Sequence, residues 1–197
     1  MIITLFSYKG GVGKTTAAIH LVGHIAERAP TALADGDVNR SAMGWAGRGP
    51  GLGFPVVDEE EAMRLARQCE HFVIDTPARP VPVKFAGLVR AADVRILVSE
   101  PDIMSLDTLV PAIADFRAAK APFKVLLTNA RPNMPDAEQA ERLLDAQGIP
   151  RFQTTVRGYA AARKAALLGV LVRDVAAPHA QDVWEDFGAI VEEIFNG

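Results

Sequence analysis

The fold of this chain is decided by one short stretch near its start, Tyr8-Lys9-Gly10-Gly11-Val12-Gly13-Lys14-Thr15-Thr16. The apolar run from Ile2 to Phe6 precedes this stretch, and a segment of helical period follows it from Thr15 to Arg28. A strand, a glycine-rich loop and a helix in this order form a P-loop, whose successive backbone N–H groups converge on phosphate oxygens. The helix N-terminus adds about half a positive charge at the same place. The stretch therefore predicts a phosphate-binding site.

Short apolar runs alternate with segments of helical period along the rest of the chain. The predicted strands are Ile2 to Phe6, Thr31 to Ala34, Phe72 to Ile74, Val94 to Val98 and Val125 to Thr128. The predicted helices are Thr15 to Arg28, Glu59 to Glu70, Val83 to Ala92, Ser105 to Lys120, Asp136 to Gln147, Tyr159 to Leu168 and Gln181 to Phe195. Because the strands are apolar throughout, helices should cover both faces of a mostly parallel sheet. We expect one doubly wound α/β domain over residues 1–197.

Two segments fit this alternation less simply. Pro111 lies inside the predicted helix from Ser105 to Lys120 and either kinks it or marks a new first turn, because proline lacks a backbone donor. The stretch from Gly44 to Gly53 is too glycine-rich for regular structure and predicts a mobile connecting loop.

The composition argues against several classes of protein. Cys69 is the single cysteine, which excludes an internal disulfide and any multi-cysteine metal site contributed by one subunit. The sequence has no run of about eighteen apolar residues, and its start lacks the basic region of a signal peptide, so we expect a cytoplasmic protein. The net charge of −3 does not by itself suggest a nucleic-acid binder, although an average can hide a local basic patch.

The loop and the following strands supply candidates for nucleotide and metal binding. Lys14 should reach the β- and γ-phosphates, and the Thr15 hydroxyl should bind Mg²⁺, which prefers oxygen ligands. The remaining nucleotide-binding candidates in the loop are Gly10, Gly11, Val12, Gly13 and Thr16. The strand from Phe72 to Ile74 leads into Asp75 at the carboxyl edge of the sheet, where ligands of open α/β sheets bind. We expect Asp75 to orient Mg²⁺ through a water.

The loop departs from the usual P-loop pattern in a specific way. Tyr8 stands where the pattern has glycine, and a second lysine, Lys9, follows it. The run from Lys9 to Thr16 resembles the deviant Walker A motif of the ParA/MinD family of partition and positioning ATPases, and is closest to the small ParA-type members. In that family the early lysine crosses a dimer interface to the nucleotide of the other subunit. The resemblance implies that Lys9 takes part in catalysis and makes formation of a homodimer depend on ATP; without it, Lys9 would be interpreted as a solvated loop charge.

Two further segments carry the same resemblance. The stretch from Ala34 to Ala42 is similar to the family's switch region, D-x-D-P-Q, and Asp37 matches the aspartate implicated in hydrolysis. Asp37 would position the attacking water close to Mg²⁺, which suits slow turnover. Val38 and Asn39 replace the usual proline and glutamine, which leaves the orientation of this loop open. Asn129 follows a predicted strand where relatives contact adenine, but asparagine is also an ordinary turn former.

Charge is distributed unevenly near the end of the chain. The segment from Arg151 to Arg173 has five basic residues and no acidic one, whereas the segment from Asp174 to Gly197 has six acidic residues and no lysine or arginine. In ParA-type relatives, basic residues of the C-terminal half hold non-specific DNA through its phosphates. The resemblance implies this role for Arg151, Arg157, Arg163 and Lys164. The alternative is a solvated face that pairs with the acidic tail.

The closing helix argues against a membrane partner. Its net acidic charge would be repelled by an anionic membrane surface, unlike the basic closing helix of MinD-type relatives. Its apolar residues recur at helical spacing and should pack on the sheet. The expected core contacts are Trp184, Phe187, Ile190 and Ile194.

The resemblance implies an ATPase that binds non-specific DNA as an ATP dimer and associates with the nucleoid in that state. A partner would stimulate its slow hydrolysis, and the cycle would partition a plasmid or chromosome. Because nothing precedes the first strand, we expect no operator-binding domain and hence a separate ParB-like adaptor. The alternative within the family is an ATPase that positions a protein assembly, such as a microcompartment or chemosensory cluster. A metabolic P-loop kinase or ligase is less well supported, because His20 and His24 have metal-capable spacing but no third ligand.

Overall fold

The computed structural model describes residues 1–196, so Gly197 of the predicted domain lies outside the described residues. Six strands in this part of the chain form one sheet: β1 Ile2–Phe6, β2 Thr31–Asp35, β3 Val56–Val57, β4 His71–Asp75, β5 Val94–Ser99 and β6 Lys124–Leu127. Their order is β3-β2-β4-β1-β5-β6, and all neighbouring pairs are parallel. The predicted doubly wound parallel fold is confirmed, and β1 lies at the centre of the sheet.

Helices cover both faces of this sheet. They are α1 Lys14–Ile25, α2 Ser41–Ala46, α3 Glu59–Leu65, α4 Pro82–Ala91, α5 Ile103–Asp107, α6 Leu109–Ala118, α7 Asp136–Ala146, α8 Ala160–Leu168 and α9 Ala180–Asn196, with a 3₁₀ turn at Val172–Asp174. Within residues 1–196, none of these helices is long and apolar enough to cross a lipid bilayer.

Alternation along β1 separates two hydrophobic cores. Ile3 and Leu5 point to the face covered by α1, α8 and α9. Phe6 points to the opposite face, where it meets Phe85 of α4 and Phe116 of α6 in edge-to-face contacts with ring centroids 5.1–5.6 Å apart. Aromatic edges and faces attract each other in this geometry. The two cores hold β1 rigidly from both sides, which fixes the loop that follows it.

The closing helix α9 packs against α1 through its apolar side. Trp184, Phe187 and Ile190 are buried and Ile194 is partly buried, so the expected core contacts are observed. The buried His20 of α1 stacks on Phe187. Its Nδ1 forms a hydrogen bond with the Thr16 carbonyl at 2.7 Å, and its Nε2 accepts the Val172 N–H at 3.0 Å. His20 is therefore a structural residue, and no cluster of metal-ligating side chains surrounds it within the described range.

The predicted helix from Ser105 to Lys120 is two helices. α5 ends at Asp107 and α6 begins at Leu109, so Pro111 lies in the first turn of a new helix. The first amide groups of a helix have no intrahelical acceptor, so the missing N–H of proline costs little there. Thr108 joins the two helices and marks the break. Elsewhere α3 ends at Leu65, five residues before the predicted end at Glu70.

The glycine-rich stretch from Gly44 to Gly53 differs from the predicted mobile connector. Its first residues complete α2, and the buried Trp45 donates its indole N–H to the Val170 carbonyl at 3.0 Å. Gly49 and Gly169 approach so closely that a methyl group on either would overlap the backbone of the other. Two residues without a side chain permit this backbone contact. The stretch is thus attached to the end of α8.

Candidate nucleotide site

The P-loop connects the central strand β1 to α1 at the carboxyl edge of the sheet. Gly11 and Gly13 have positive φ angles of 81° and 77°, which glycine adopts without strain. Gly13 caps α1 without any side-chain hydrogen bond, so the first amides of the helix are not satisfied by a capping residue. These amides and the helix dipole form a preorganised site for an anion.

Lys14, Thr15 and Asp75 are brought together directly behind this loop. Asp75 ends β4, which pairs with β1, so its carboxylate lies beside the start of α1. Lys14 Nζ donates to Asp75 Oδ1 at 2.5 Å, and Thr15 Oγ1 donates to Asp75 Oδ2 at 2.6 Å. Burial raises the pKa of Asp75, and the Lys14 ammonium opposes that rise. The contact holds the lysine and the threonine hydroxyl in fixed positions at the loop.

The same three residues suit a Mg²⁺–nucleotide complex. Mg²⁺ binds proteins through one or two oxygen ligands and takes its other ligands from phosphates and water. Thr15 and Asp75 provide a hydroxyl and a carboxylate oxygen next to each other. The space in front of the loop is open, because methyl groups added to Gly10 and Gly11 would have no other atom within 4 Å. A bound Mg²⁺ would be held by Thr15 and Asp75 and would neutralise phosphate charge there.

The switch-like segment is organised by an aspartate to which we gave no role from the sequence. Asp35 ends β2, is fully buried, and accepts hydrogen bonds from the backbone N–H groups of Asp37 at 3.2 Å and Met43 at 3.0 Å. Asp37 lines the cleft, and its Oδ1 accepts the N–H of Asn39 at 2.9 Å. This turn sets where the Asp37 carboxylate points. The D-x-D pattern was the signal that could have revealed Asp35.

Asn129 lies beside the loop in a left-handed conformation with φ of 54°. Its Nδ2 donates to Glu100 Oε1 at 2.8 Å, and a methyl group on Gly13 would lie 3.4 Å from the same nitrogen. The neighbouring Thr128 donates its hydroxyl to the Val12 carbonyl at 2.6 Å and so ties β6 to the loop. Asn129 is therefore held next to the phosphate site. No sequence motif pointed to Glu100 or Thr128.

Lys9 contacts its own chain. Its Nζ donates to Ser105 Oγ at 2.8 Å and lies 3.7 Å from Asp102 Oδ2 at the start of α5. The preceding Tyr8 donates its hydroxyl to Asp115 of α6. The first half of the loop is thus anchored to α5 and α6. The contact of Lys9 with a second subunit stays a prediction.

The loop opens into a cleft of about 740 Å³. Besides the P-loop, Asp37 and Asn129, its walls include residues from the segment around α2 and from the start of α8. These wall residues are Trp45, Arg48, Tyr159, Ala162, Arg163 and Ala166. No local pattern in the sequence predicts this wall, because α2 and α8 are far apart in the chain and meet only in the folded structure.

The four predicted DNA-binding residues have different surroundings. Arg151 makes two hydrogen bonds of 2.9 Å to the Asp145 carboxylate. Arg157 pairs with Asp186 of the acidic helix α9 at 2.8 Å, as the alternative interpretation expected. The exposed Lys164 donates to a backbone carbonyl at 3.0 Å, and the exposed Arg163 lines the cleft. The four side chains therefore do not share one environment.

These features define a P-loop nucleotide-binding protein, and comparison with known proteins gives its family. Residues 3–187 match the CobQ/CobB/MinD/ParA nucleotide binding domain, and the chain belongs to that family.

Similar proteins include a carboxysome distribution protein and a septum site-determining protein. Over 203 residues the chain is 32% identical to the maintenance of carboxysome distribution protein A of Gloeobacter kilaueensis, with coverage of 98% of this chain and 93% of that protein. The fold of this chain is similar to that of an ATP complex of a McdA variant from Cyanothece. The TM-score is 0.79 at 14% identity, and the match covers 99% of this chain and 96% of that protein. The fold is also similar to that of MinD with Mg-ADP from Pyrococcus horikoshii. The TM-score is 0.74 at 18% identity, and the match covers 98% of this chain and 95% of that protein.

Proposed function

We propose that this chain is an ATPase that dimerises with bound Mg·ATP and uses the cycle of dimerisation and hydrolysis to distribute a large protein assembly. The observation that carries the nucleotide part is the cluster of Lys14, Thr15 and Asp75 behind an open glycine loop. Such a cluster supplies a charge for the phosphates and two oxygen ligands for the metal.

Slow, partner-stimulated hydrolysis is consistent with the position of Asp37. Its Oδ1 is used by the turn to Asn39, while its Oδ2 has no hydrogen bond to any residue of the described chain and can hold a water. Phosphoryl transfer depends mainly on positioning and charge neutralisation. A single carboxylate oxygen is a minimal site for the attacking water, so a partner that adds a further contact to this water would accelerate the reaction.

Lys9 is the proposed link between nucleotide and dimer. Its side chain is about one-third exposed, and among residues 1–196 its ammonium group contacts a hydroxyl and a carboxylate 3.7 Å away, which an approaching triphosphate can replace. A charge-assisted contact to phosphate is stronger than a bond to a neutral hydroxyl. We propose that Lys9 leaves Ser105 and reaches the nucleotide of a second copy, together with Lys14 of that copy.

The similarity to a carboxysome distribution protein supports a protein assembly as the cargo. This was the alternative drawn from the sequence, and we now favour it over partition of a plasmid or chromosome. For either cargo we propose a separate adaptor and a track. We propose non-specific DNA as the track, which makes the ATP-bound chain nucleoid-associated. Lys164 is the exposed cation that fits this role, whereas Arg151 and Arg157 would first have to leave their carboxylates.

Size-exclusion chromatography with light scattering tests the switch. We expect wild type to be a dimer with ATP and Mg²⁺ and a monomer with ADP, and Lys9→Ala to be a monomer with both. Lys84→Ala is the matched control, because Lys84 is also a partly exposed lysine but lies on α4, where it forms a 3.9 Å ion pair with Glu59. A monomer under all conditions, with turnover of a small metabolite, would support the metabolic alternative and overturn the proposal.

Gene deletion distinguishes the two cargoes. If the cargo is a protein assembly, the fluorescently labelled assemblies should collect in one or two foci in cells that lack the gene, while plasmids and chromosomes segregate normally. Plasmid loss with an unchanged distribution of assemblies would point to partition. Expression of the Lys9→Ala variant at the native level in the deletion strain should fail to restore the distribution.

A further inference from the structure

We propose that Arg163 contacts the base of the bound nucleotide and belongs to the nucleotide site instead of a DNA-binding surface. This inference rests on the proposed nucleotide function. It assigns a new role to a residue for which the sequence suggested contact with DNA phosphates.

Arg163 shares one helical face with three other residues that line the cleft. Tyr159, Ala162, Arg163 and Ala166 are spaced at i, i+3, i+4 and i+7, and such residues lie on one face of a helix. All four line the cleft that also contains the P-loop. The two alanines are small, so the face offers a flat floor between one aromatic ring and one guanidinium group. Lys164 is the next residue of α8 and is not among the residues that line the cleft.

Asn129 and Gly158 connect the phosphate-binding loop to this face of α8. Asn129 lies beside Gly13 of the loop, and the backbone of Gly158 lies directly on Asn129, since a methyl group on Gly158 would be 2.7 Å from the Asn129 carbonyl oxygen. Gly158 N also donates to the Ala130 carbonyl at 2.8 Å. A nucleotide with its phosphates on the loop therefore passes Asn129 and Gly158 and meets the start of α8 with its base.

The guanidinium group of Arg163 differs from those of the neighbouring arginines. Within residues 1–196, the Arg163 side chain makes no hydrogen bond or ion pair, whereas Arg151, Arg157 and Arg173 of the same basic segment each pair with a carboxylate. A planar guanidinium stacks on aromatic rings and offers several donors at its edge, which suits a nucleobase. An unpaired arginine on the wall of an anion-binding cleft is available for this contact.

The segment around α2 forms the opposite wall of the cleft and is hydrogen-bonded to α8. Arg48 Nε donates to the Ala166 carbonyl at 2.8 Å, and Trp45 donates to the Val170 carbonyl at 3.0 Å. The segment around α2 is thus fixed to α8, and Arg163 faces a cleft of defined width. The base would enter between this segment and α8.

Binding of ADP measured by isothermal titration calorimetry tests the proposal, because ADP avoids the proposed ATP-dependent dimerisation. We expect Arg163→Ala to weaken ADP binding about tenfold, the usual effect of losing one stacking side chain. Arg163→Lys should be nearly as weak, because it keeps the charge but loses the planar group. Lys164→Ala should bind ADP like wild type. Equal melting temperatures would show that the variants are folded.

Two results would overturn the assignment, and a third would overturn the nucleotide site on which it rests. ADP affinity in Arg163→Ala equal to wild type would remove Arg163 from the site, and a parallel loss of salt-sensitive binding to duplex DNA would return it to a DNA surface. Full rescue by Arg163→Lys would indicate contact with a phosphate instead of the base. A wild-type protein that binds no ADP would instead overturn the proposed nucleotide site itself.

Discussion

Lys9 Nζ lies 2.8 Å from Ser105 Oγ within a single chain, and the adjacent Asp102 carboxylate is 3.7 Å from the same nitrogen. Asp102 is the N-cap of α5 and Ser105 lies in its first turn, where Asp102 also accepts the backbone N–H of Ser105 at 3.1 Å. In the proposed switch, this contact competes with the reach of Lys9 toward a second subunit. The stability of the contact therefore influences how much ATP is needed for dimerisation.

Asp102→Asn should lower the ATP concentration at half-maximal dimerisation by about two- to fivefold, because partly exposed ion pairs contribute less than about 1 kcal/mol. Asparagine keeps the helix cap, so α5 should remain folded. Light scattering over an ATP titration gives the midpoint. Asp107→Asn is the control, because Asp107 is an exposed carboxylate at the other end of α5. A midpoint that rises in Asp102→Asn would mean that Asp102 supports the dimer instead of competing with it.

Asp75→Asn should reduce the free energy of unfolding in the absence of nucleotide by about 3 kcal/mol, because it leaves the Lys14 ammonium without its carboxylate. Lys14 is only 7% exposed, so water compensates poorly. Urea denaturation measures the loss. The double variant Lys14→Met/Asp75→Asn should recover most of the stability, because no unpaired charge remains, and should hydrolyse no ATP. Equal losses in the single and double variants would contradict this explanation.

The sequence predicted the centre of the molecule because that part depends on local pattern. β1, the glycine loop and α1 follow one another in the chain, and the neighbouring strand β4 brings Asp75 to the same edge of the sheet as parallel pairing requires. The closeness of Lys14, Thr15 and Asp75 could therefore be expected, although their roles in binding stay predictions.

The features that the sequence did not predict depend on contacts between distant segments. β3 is only two residues long and has no periodicity to detect. The stretch around Gly49 looks like a flexible linker until Gly169, 120 residues later, packs against it. Lys9 was expected to face a second subunit, and its bond to Ser105 depends on where α5 begins. Pairwise packing of this kind leaves no local signature.

His20 should make the stability of the protein depend on pH. Burial lowers its pKa from 6.5 to about 4, because the charged form of the ring is costly in a fully buried position, and a charge on His24 lowers it further. The unfolded chain therefore binds a proton below pH 6.5 while the folded chain does not, and stability falls as pH decreases from about 6.5 to about 4, by roughly 1.4 kcal/mol per pH unit for this one group. Above pH 6.5 the His20 ring is neutral in both the folded and the unfolded chain, so its titration no longer lowers the stability.

Urea denaturation at several pH values between 4.5 and 7.5 checks this dependence. His20→Gln keeps an amide near the same partners and does not titrate, so its stability should be lower than wild type at pH 7 but should fall less steeply on acidification. His24, whose pKa burial also lowers, retains part of the slope in both proteins. Identical slopes would show that His20 is not the group responsible.

Gly49→Ala should destabilise the protein by about 2 kcal/mol, because the added methyl group overlaps the Gly169 carbonyl and the two backbones must separate. The same separation pulls Trp45 and Arg48 away from α8, so ADP affinity should fall together with stability. Gly87→Ala is the matched control: a methyl group there meets open space in the interior of α4, where alanine is the better helix former, and the variant should be as stable as wild type or more so. Thermal unfolding with and without ADP compares the two variants. If Gly49→Ala lost stability but bound ADP with wild-type affinity, the attachment of α2 to α8 would support the fold without shaping the cleft.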